Sequence, residues 1–245
     1  MTRRFLAALQ FLTVVPVARP AVSPGDGAPW FPLVGAMLGA SSGALMLSLS
    51  HSLGPAVTAL VAIGWLLAVT GCLHEDGLAD VADAVRAGRS QPKMMEILKD
   101  SRIGTYGAIA LILSIALRWQ SVAQMTINPV AGMAAALALS RTSLVALAAV
   151  TRPVGTGLGS AFSAACSRKV LIATVLQAVV IVAFTAVFTG WGRGAALLLA
   201  SAVIVILARS WFTRRLGGVN GDCLGATSQA IEVVNLVILA WHPST

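Results

Sequence analysis

Long apolar stretches separated by short polar segments dominate this chain from Trp30 to Trp241. A helix needs ~20 apolar residues to cross the hydrocarbon core of a bilayer, and the stretches approach that length. The chain is 57% hydrophobic and only 11% charged, whereas roughly 25% of the residues in a soluble domain are charged. The sequence therefore predicts an all-α fold, a polytopic transmembrane helical bundle that forms one integral membrane domain over residues 1–245.

The apolar stretches predict about seven spans, and six to eight are compatible with the pattern. We place them near residues 32–51, 54–73, 104–120, 129–150, 170–190, 194–211 and 224–241. The N-terminal segment MTRRFLAALQFLTVVPVARP has a basic beginning but lacks a small-residue cleavage site. We interpret it as a retained interfacial helix that lies on the bilayer.

Basic residues are distributed unevenly between the two sets of loops. One set of loops, around Ser52, at residues 121–128 and at residues 190–194, contains a single basic residue, Arg193. The other set, at residues 74–103, at residues 151–169 and around Arg214, contains ten: Arg86, Arg89, Lys93, Lys99, Arg102, Arg152, Arg168, Lys169, Arg214 and Arg215. By the positive-inside rule the N-terminus and the charged loops face the cytoplasm. We interpret the net charge of +8 as topology signals and contacts to an anionic substrate, with no nucleic-acid partner.

Eight of the nine acidic residues lie in three blocks beside predicted cytoplasmic helix ends. The first block, LHEDGLADVADA at residues 73–84, continues the second span. If it is helical, Asp76, Asp80 and Asp83 fall within an arc of roughly 60° at ~100° per residue. Like charges on one helix face repel one another and indicate a bound cation. The alternative is a solvated helix face that pairs with nearby arginines.

Carboxylates without Cys ligands are typical of a site for a hard cation. Cys72, Cys166 and Cys223 lie far apart, which indicates neither a zinc site nor a disulfide framework. Mg²⁺ usually binds a few carboxylates and completes its shell with phosphate oxygens. The sequence therefore predicts Mg²⁺ as the cofactor.

The second block, PKMMEILKDSRIGTYG from Pro92, places Glu96 and Asp100 four residues apart on a helical stretch. Its predicted apolar side is Met95, Leu98 and Ile103. Arg102, Lys99 and Lys93 are candidates to bind phosphate. The alternative is an ordinary amphipathic surface helix.

The third block, GGVNGDCLGATSQAIE from Gly217, gathers glycines around Asp222 just before the last span. Glycines permit close backbone approach, and free amides at a helix start favour an anion. Gly218, Gly221 and Gly225 are therefore candidate diphosphate-binding positions, with Asp222 as a metal ligand. The alternative is that Asp222 caps the helix.

Two further groups have both structural and functional interpretations. Glu232 lies inside the last apolar span, where a carboxylate is costly unless it is paired or functional. It is either a substrate-binding residue or the partner of Arg141. His74, beside the first acidic block, is either a proton acceptor or a helix-end residue.

Several segments resemble the cobalamin synthase family, the adenosylcobinamide-GDP ribazoletransferases. They are LQFLTVVPV, LHEDGLADVADA, MMEILKDSRIGTYGAIAL, GTGLGSAF and GGVNGDCLGA, in order over nearly the whole chain. The resemblance implies a magnesium-dependent enzyme of the bacterial inner membrane that joins adenosylcobinamide-GDP to α-ribazole or its phosphate and releases GMP. Two positions depart from the family pattern: Glu75 stands where an apolar residue is usual, and Gln229 where an acid is frequent.

The resemblance also implies roles for individual residues. Asp76, Asp80 and Asp83 correspond to metal-binding acids, and Asp100 and Asp222 lie in the other two motifs. We expect the metal to bridge the diphosphate while the ribazole hydroxyl attacks the phosphorus nearer cobinamide. Arg102, Lys99 and Arg152 would neutralise phosphate oxygens, and Asp83 would accept the hydroxyl proton.

Two other functions are compatible with parts of the sequence. A secondary transporter or channel would suit the basic loops and intramembrane charges, although transporters tend to place their sites at the midplane between repeats, and no repeat is visible. A CDP-alcohol phosphotransferase would suit the DG-containing acidic block, although the spacing differs. Nothing in the sequence excludes a homo-oligomer.

Overall fold

A computed structural model describes residues 2–17, 24–87, 90–155 and 157–242, and within these ranges the regular structure is entirely helical. Arg89 lies outside the described residues. The helices are, in chain order, α1 (Thr2–Leu12), α2 (Pro24–Gly27), a 3₁₀ turn (Ala28–Trp30), α3 (Phe31–Leu49), α4 (Pro55–Thr70), α5 (Leu73–Ala87), α6 (Gln91–Ile97), α7 (Thr105–Ala123), α8 (Pro129–Val150), α9 (Leu158–Ala165), α10 (Arg168–Thr189), α11 (Trp191–Leu216) and α12 (Gly221–Ala240). The prediction of an all-α fold is confirmed.

Six helical segments in the described part of the chain are long and apolar enough to cross a membrane. They are Gly25–Leu49, Thr105–Ala123, Pro129–Val150, Arg168–Thr189, Trp191–Leu216 and Gly221–Ala240. The predicted span at residues 54–73 corresponds to α4, which reaches this standard only when it is taken together with α5. The chain is therefore a polytopic membrane protein with six spans, or seven if α4 is included.

Helix α8 is the centre of the bundle and is buried along almost its whole length. It contacts α3, α10, α11 and α12. Gly35, Gly39 and Gly43 form a strip along α3 at which an added Cβ would collide with the α8 backbone. Small residues allow membrane helices to approach this closely, because packing rather than the hydrophobic effect holds them together.

The first acidic block is helical, as predicted, but α5 does not continue the direction of α4. The two helices are inclined by 90°. Gly71 and Cys72 separate them with φ values of 60° and 56°, in the left-handed region that ends a helix. The bend sends α5 across α7 and α12.

The N-terminal helix α1 buries Ala7, Ala8 and Leu12 and contacts α2 and α3. Its N-terminal residues Thr2 to Arg4 are exposed. An amphipathic helix at this position agrees with the predicted interfacial helix, whose depth in a bilayer stays a prediction.

Candidate active site

The crossing of α5 over the start of α12 brings two of the three acidic blocks together. Gly77 lies against the backbone of Asp222, so that an added Cβ would be 2.8 Å from the Asp222 carbonyl oxygen. Gly225 faces the backbone of His74 in the same way, at 3.4 Å. The absence of side chains at these two glycines therefore allows Asp76 and Asp222 to line one cavity.

That cavity has a volume of about 300 Å³ and lies between α1, α5, α8, α9 and α12. Among its lining residues, Gln10, Asp76 and Gly221 are exposed, while His74 and Phe162 are buried. The cavity therefore opens to solvent beside the acids and ends against apolar and aromatic groups.

Asp222 lies in the first turn of α12 but does not cap the helix. Asn220 is the N-cap, because its Oδ1 accepts a hydrogen bond from the Cys223 amide at 3.1 Å. The Nδ2 of Asn220 donates to an Asp222 carboxylate oxygen at 2.8 Å. The alternative interpretation of Asp222 as a cap is therefore wrong, and the cap residue itself orients the Asp222 carboxylate.

Asp80 lies half-buried on α5 among the other acids. Burial, followed by the charges of Asp76, Asp222 and Asp83, raises the pKa of Asp80 to about 6. Burial and nearby like charges both disfavour the ionised form of a carboxyl group and so raise its pKa. Asp80 therefore lies near enough to Asp76, Asp222 and Asp83 for their charges to affect it, and the predicted metal binding by these acids stays a prediction.

Asp83 binds the start of α7. One of its carboxylate oxygens accepts a hydrogen bond from the Gly104 amide at 2.7 Å, and the other accepts from the Gly107 amide at 2.9 Å. These are amides at a helix N-terminus that lack partners within the helix. Asp83 thus links α5 to α7, and its predicted roles as metal ligand and base stay predictions that this geometry does not favour.

The second acidic block lies on the surface of the same end. The Arg102 guanidinium donates to both oxygens of Asp100, at 3.0 and 2.7 Å, which lowers the pKa of Asp100 to about 2. Lys93 and Glu96 form an exposed pair. Helix α6 ends at Ile97, so Asp100 and Ile103 lie beyond it, and the prediction of one helical stretch that holds both Glu96 and Asp100 is wrong. This segment buries Met94 and Leu98, while Ile103 is 58% exposed. The prediction that Ile103 belongs to the apolar side is therefore wrong. Met94 packs into the core instead.

The predicted phosphate-binding positions also gather at this end. Arg152 is exposed, and its carbonyl oxygen accepts from the Val219 amide at 2.9 Å, which holds the loop after α8 beside the glycine segment. An added Cβ at Gly218 would collide with that same carbonyl. Gly221 and Gly225 line the cavity, and Lys99 is exposed. These assignments stay predictions.

A buried ionic network lies deeper in the bundle. Glu232 binds Arg141 through one oxygen and Arg118 through the other, both at 3.0 Å. Arg118 also binds Glu75 at 2.9 Å, and Gln229 donates to the same Glu75 oxygen at 3.0 Å. The predicted pair of Glu232 with Arg141 is therefore present. Because Glu232 is 1% exposed, its alternative role in substrate binding is not favoured.

Arg118 is not among the predicted site residues, although its position in an apolar span marks it in the sequence. It is the only charged residue within α7 and is 1% exposed. A lone arginine in an apolar span implies a buried acid as its partner. Glu75 at the start of α5 could then have been identified as a buried partner of Arg118.

His74 is 2% exposed and lines the cavity. Neither ring nitrogen has a hydrogen-bond partner within the described part of the chain. Burial, together with the charges of Arg141 and Arg118, lowers the pKa of His74 well below its usual range. The imidazole is therefore neutral and offers one donor and one acceptor.

A divalent cation would have to be held by the carboxylates at the cavity mouth. Among the described residues, no three Asp, Glu, His or Cys side chains are arranged closely enough to hold one ion by themselves. The oxygen-only donors Asp76, Asp80 and Asp222 nevertheless suit a hard cation that takes part of its coordination from phosphate.

The fold and this acidic end define a helical membrane protein with a carboxylate-lined candidate active site. The sequence matches the cobalamin-5-phosphate synthase family over residues 4–240. Relatives named adenosylcobinamide-GDP ribazoletransferase include one from Bradyrhizobium diazoefficiens, 38% identical over 95% of this chain and 91% of its own length. Another, from Escherichia coli K12, is 33% identical over 98% of this chain and 100% of its own. No solved structure gives a significant match.

The chain therefore belongs to the cobalamin-5-phosphate synthase family. It is a transferase of cobalamin biosynthesis, as the resemblance in the sequence had predicted.

Proposed function

We propose that the chain joins adenosylcobinamide-GDP to α-ribazole or α-ribazole phosphate and releases GMP. The observation that carries this proposal is the family match over residues 4–240, combined with a cavity that Asp76 and Asp222 line together. Asp80 lies near enough to both for their charges to raise its pKa. The names of the relatives specify the same two substrates. Transfer at a diphosphate requires positioning and charge neutralisation more than covalent chemistry from the protein.

The acids would hold Mg²⁺ at the cavity mouth. Asp76, Asp80 and Asp222 provide only oxygen donors, which suit a hard cation. Burial first, and then the negative charges of its neighbours, raise the pKa of Asp80. When bound, Mg²⁺ would offset the charge of the diphosphate and favour departure of GMP. Asn220 would keep the Asp222 carboxylate oriented toward that position.

Basic groups surround the same end of the bundle. Arg152 is held beside Gly218 by the Val219 amide, and Arg102 is two residues from Gly104, which binds Asp83. With Lys99 they would contact phosphate oxygens of the bound substrate. Asp100 would position Arg102 through their two hydrogen bonds.

The reaction is proposed to occur at the cytoplasmic face of the bacterial inner membrane. The basic loops support this orientation, because Lys and Arg are enriched in cytoplasmic loops. The acids lie at one end of the bundle, whereas transporters usually place their sites at the midplane, so transport is the weaker alternative.

Purified protein in detergent should release GMP only when adenosylcobinamide-GDP and α-ribazole are both present with Mg²⁺. Chromatography of the nucleotides would separate this result from CMP release, which a CDP-alcohol phosphotransferase would give. Release of CMP from a CDP-activated substrate would refute the proposed reaction, and so would the absence of GMP release from adenosylcobinamide-GDP and α-ribazole.

A further inference from the structure

Two phenylalanines of an aromatic cluster line the cavity behind the acids. The Phe162 ring stacks on Phe31 with centroids 5.3 Å apart and 7° between the ring planes, and on Phe11 at 5.4 Å and 21°. Phe11 and Phe162 both line the cavity. Aromatic side chains offer apolar surface and favour stacked or edge-to-face contact with another aromatic ring, so this lining suits a planar aromatic group.

His74 provides the polar part of the same lining. It is 2% exposed, and both of its ring nitrogens lack a partner among the described residues. Buried polar groups in folded proteins are almost always hydrogen-bonded. A ligand that enters the cavity and hydrogen-bonds to His74 would therefore satisfy a buried ring nitrogen that has no partner among the described residues.

The volume of the cavity limits what can enter it. At about 300 Å³, it lies at the lower end of the roughly 300–1,000 Å³ found for small-molecule pockets. A bicyclic base fits that space, whereas a corrin ring carrying a nucleoside diphosphate does not. Of the two proposed substrates, the cavity therefore suits the smaller one.

We infer that this cavity binds the aromatic base of α-ribazole, with the benzimidazole ring packed against Phe162 and its unsubstituted ring nitrogen accepting a hydrogen bond from His74. This assignment rests on the proposed function and adds to it the binding site of the acceptor. The ribose then lies toward Asp76 and Asp222, where the acceptor oxygen meets the diphosphate. The activated corrinoid stays outside the cavity, over the exposed Asp76 and the basic loops.

Competition by the free base tests this assignment on the unmodified protein. Dimethylbenzimidazole should inhibit GMP release competitively with α-ribazole and not competitively with adenosylcobinamide-GDP. Dimethylindole has nearly the same shape but no acceptor nitrogen, so it should inhibit about tenfold more weakly, the effect of one lost hydrogen bond. Equal inhibition by the two bases, or competition with the corrinoid substrate, would overturn the assignment.

Variants of His74 test the hydrogen bond directly. His74→Leu should raise the KM for α-ribazole about tenfold while the KM for adenosylcobinamide-GDP changes less than about twofold. His74→Gln keeps a donor and should restore much of the loss. His242→Leu makes the same change in an exposed histidine near Gln124, outside the cavity, and should leave both values unchanged.

The outcomes separate the two proposals. Absence of GMP release by the wild-type protein with both substrates would refute the reaction and with it the acceptor site. Normal GMP release with an unchanged KM for α-ribazole in His74→Leu would refute the acceptor site alone. If His74→Leu does not fold, the comparison of the two free bases on the wild-type protein decides the question.

Discussion

Gln229 on α12 donates a hydrogen bond to Glu75 on α5, with 3.0 Å between Nε2 and Oε1. These are the two positions that the resemblance in the sequence marked as expected departures from the cobalamin synthase pattern. Both belong to the network around Arg118, in which two glutamates balance two arginines. A carboxylate on α5 therefore balances Arg118, and the neutral amide at position 229 avoids a third acid in a buried site.

Removal of the Glu75 carboxylate should destabilise the fold. In Glu75→Leu, Glu232 alone would balance both Arg118 and Arg141 in an apolar interior. Breaking a buried ion pair from one side costs about 3–5 kcal/mol. Thermal unfolding in detergent should show a large decrease in the melting temperature of Glu75→Leu.

Glu96→Gln is the matched control, because Glu96 pairs with Lys93 while its side chain is 68% exposed. Surface pairs contribute about 0–1 kcal/mol, so this variant should be near the wild type. The double variant Glu75→Leu with Arg118→Met should recover part of the lost stability. Equal stability of Glu75→Leu and Glu96→Gln would contradict the network.

Removal of charge at the cavity mouth should abolish activity while the fold survives. Asp76→Asn, Asp80→Asn and Asp222→Asn each keep the shape of the side chain but weaken the attraction for a cation. We expect GMP release to fall by orders of magnitude. Thermal stability without Mg²⁺ should stay the same or rise slightly, because like-charge repulsion on a helix costs ~0.2–0.5 kcal/mol per pair.

Asp26→Asn serves as the control for these variants. Asp26 is an exposed residue of the short helix α2, and it is not among the residues lining the cavity. The Asp26→Asn variant should release GMP at the wild-type rate. Normal turnover by Asp76→Asn and Asp80→Asn would end the assignment of the acidic site.

The stability of the metal-free protein should depend on pH through Asp80. Its pKa is raised to about 6 in the folded chain, from an ordinary value of 3.8. A raised pKa means that the folded state binds the proton more tightly than the unfolded state. Stability from Asp80 is therefore present below pH ~4 and is lost as pH rises through about 6. Thermal unfolding in EDTA between pH 5 and 7.5 should show this decrease, and Asp80→Asn should remove it.

Added Mg²⁺ should counter this pH effect. The cation stabilises ionised carboxylates, so its stabilising effect should be greater at pH 7.5 than at pH 5. EDTA should also remove enzymatic activity, which Mg²⁺ or Mn²⁺ would restore. Full turnover in metal-free buffer would contradict the proposed metal site.

The sequence predicted the membrane class and much of the acidic site because both depend on local patterns. Apolar stretches indicate spans directly, and the spacing of Asp76 and Asp80 indicates one helix face. The direction of α5 was not predicted, because it depends on the left-handed backbone at Gly71 and Cys72. Cysteine rarely adopts that conformation, so a 90° bend at this position could not be expected from the residue types.

Contacts between distant residues were harder to predict than local structure. The attachment of Asp83 to the amides of Gly104 and Gly107 joins helices about twenty residues apart. The network of Arg118 joins α5, α7, α8 and α12. Spacing within a single helix contains no information about such partners. The cavity beside His74 likewise exists only because five helices meet there.

The orientation of the bundle can be tested by cysteine labelling. Ser90→Cys lies just before α6 at the acidic end, and Gly192→Cys lies at the start of α11, where an added Cβ would have open space. Cys72 is exposed and must first be replaced by Ser, whereas Cys166 and Cys223 are buried. Burial also raises the pKa of Cys166 to about 12, which keeps its thiol unreactive. An impermeant maleimide applied to intact spheroplasts should label Gly192→Cys and leave Ser90→Cys unlabelled, if the basic loops face the cytoplasm as the positive-inside rule predicts. Both positions should react after the membrane is permeabilised, which controls for accessibility. Labelling of Ser90→Cys but not Gly192→Cys in intact spheroplasts would invert the topology and place the acidic cavity on the outer face.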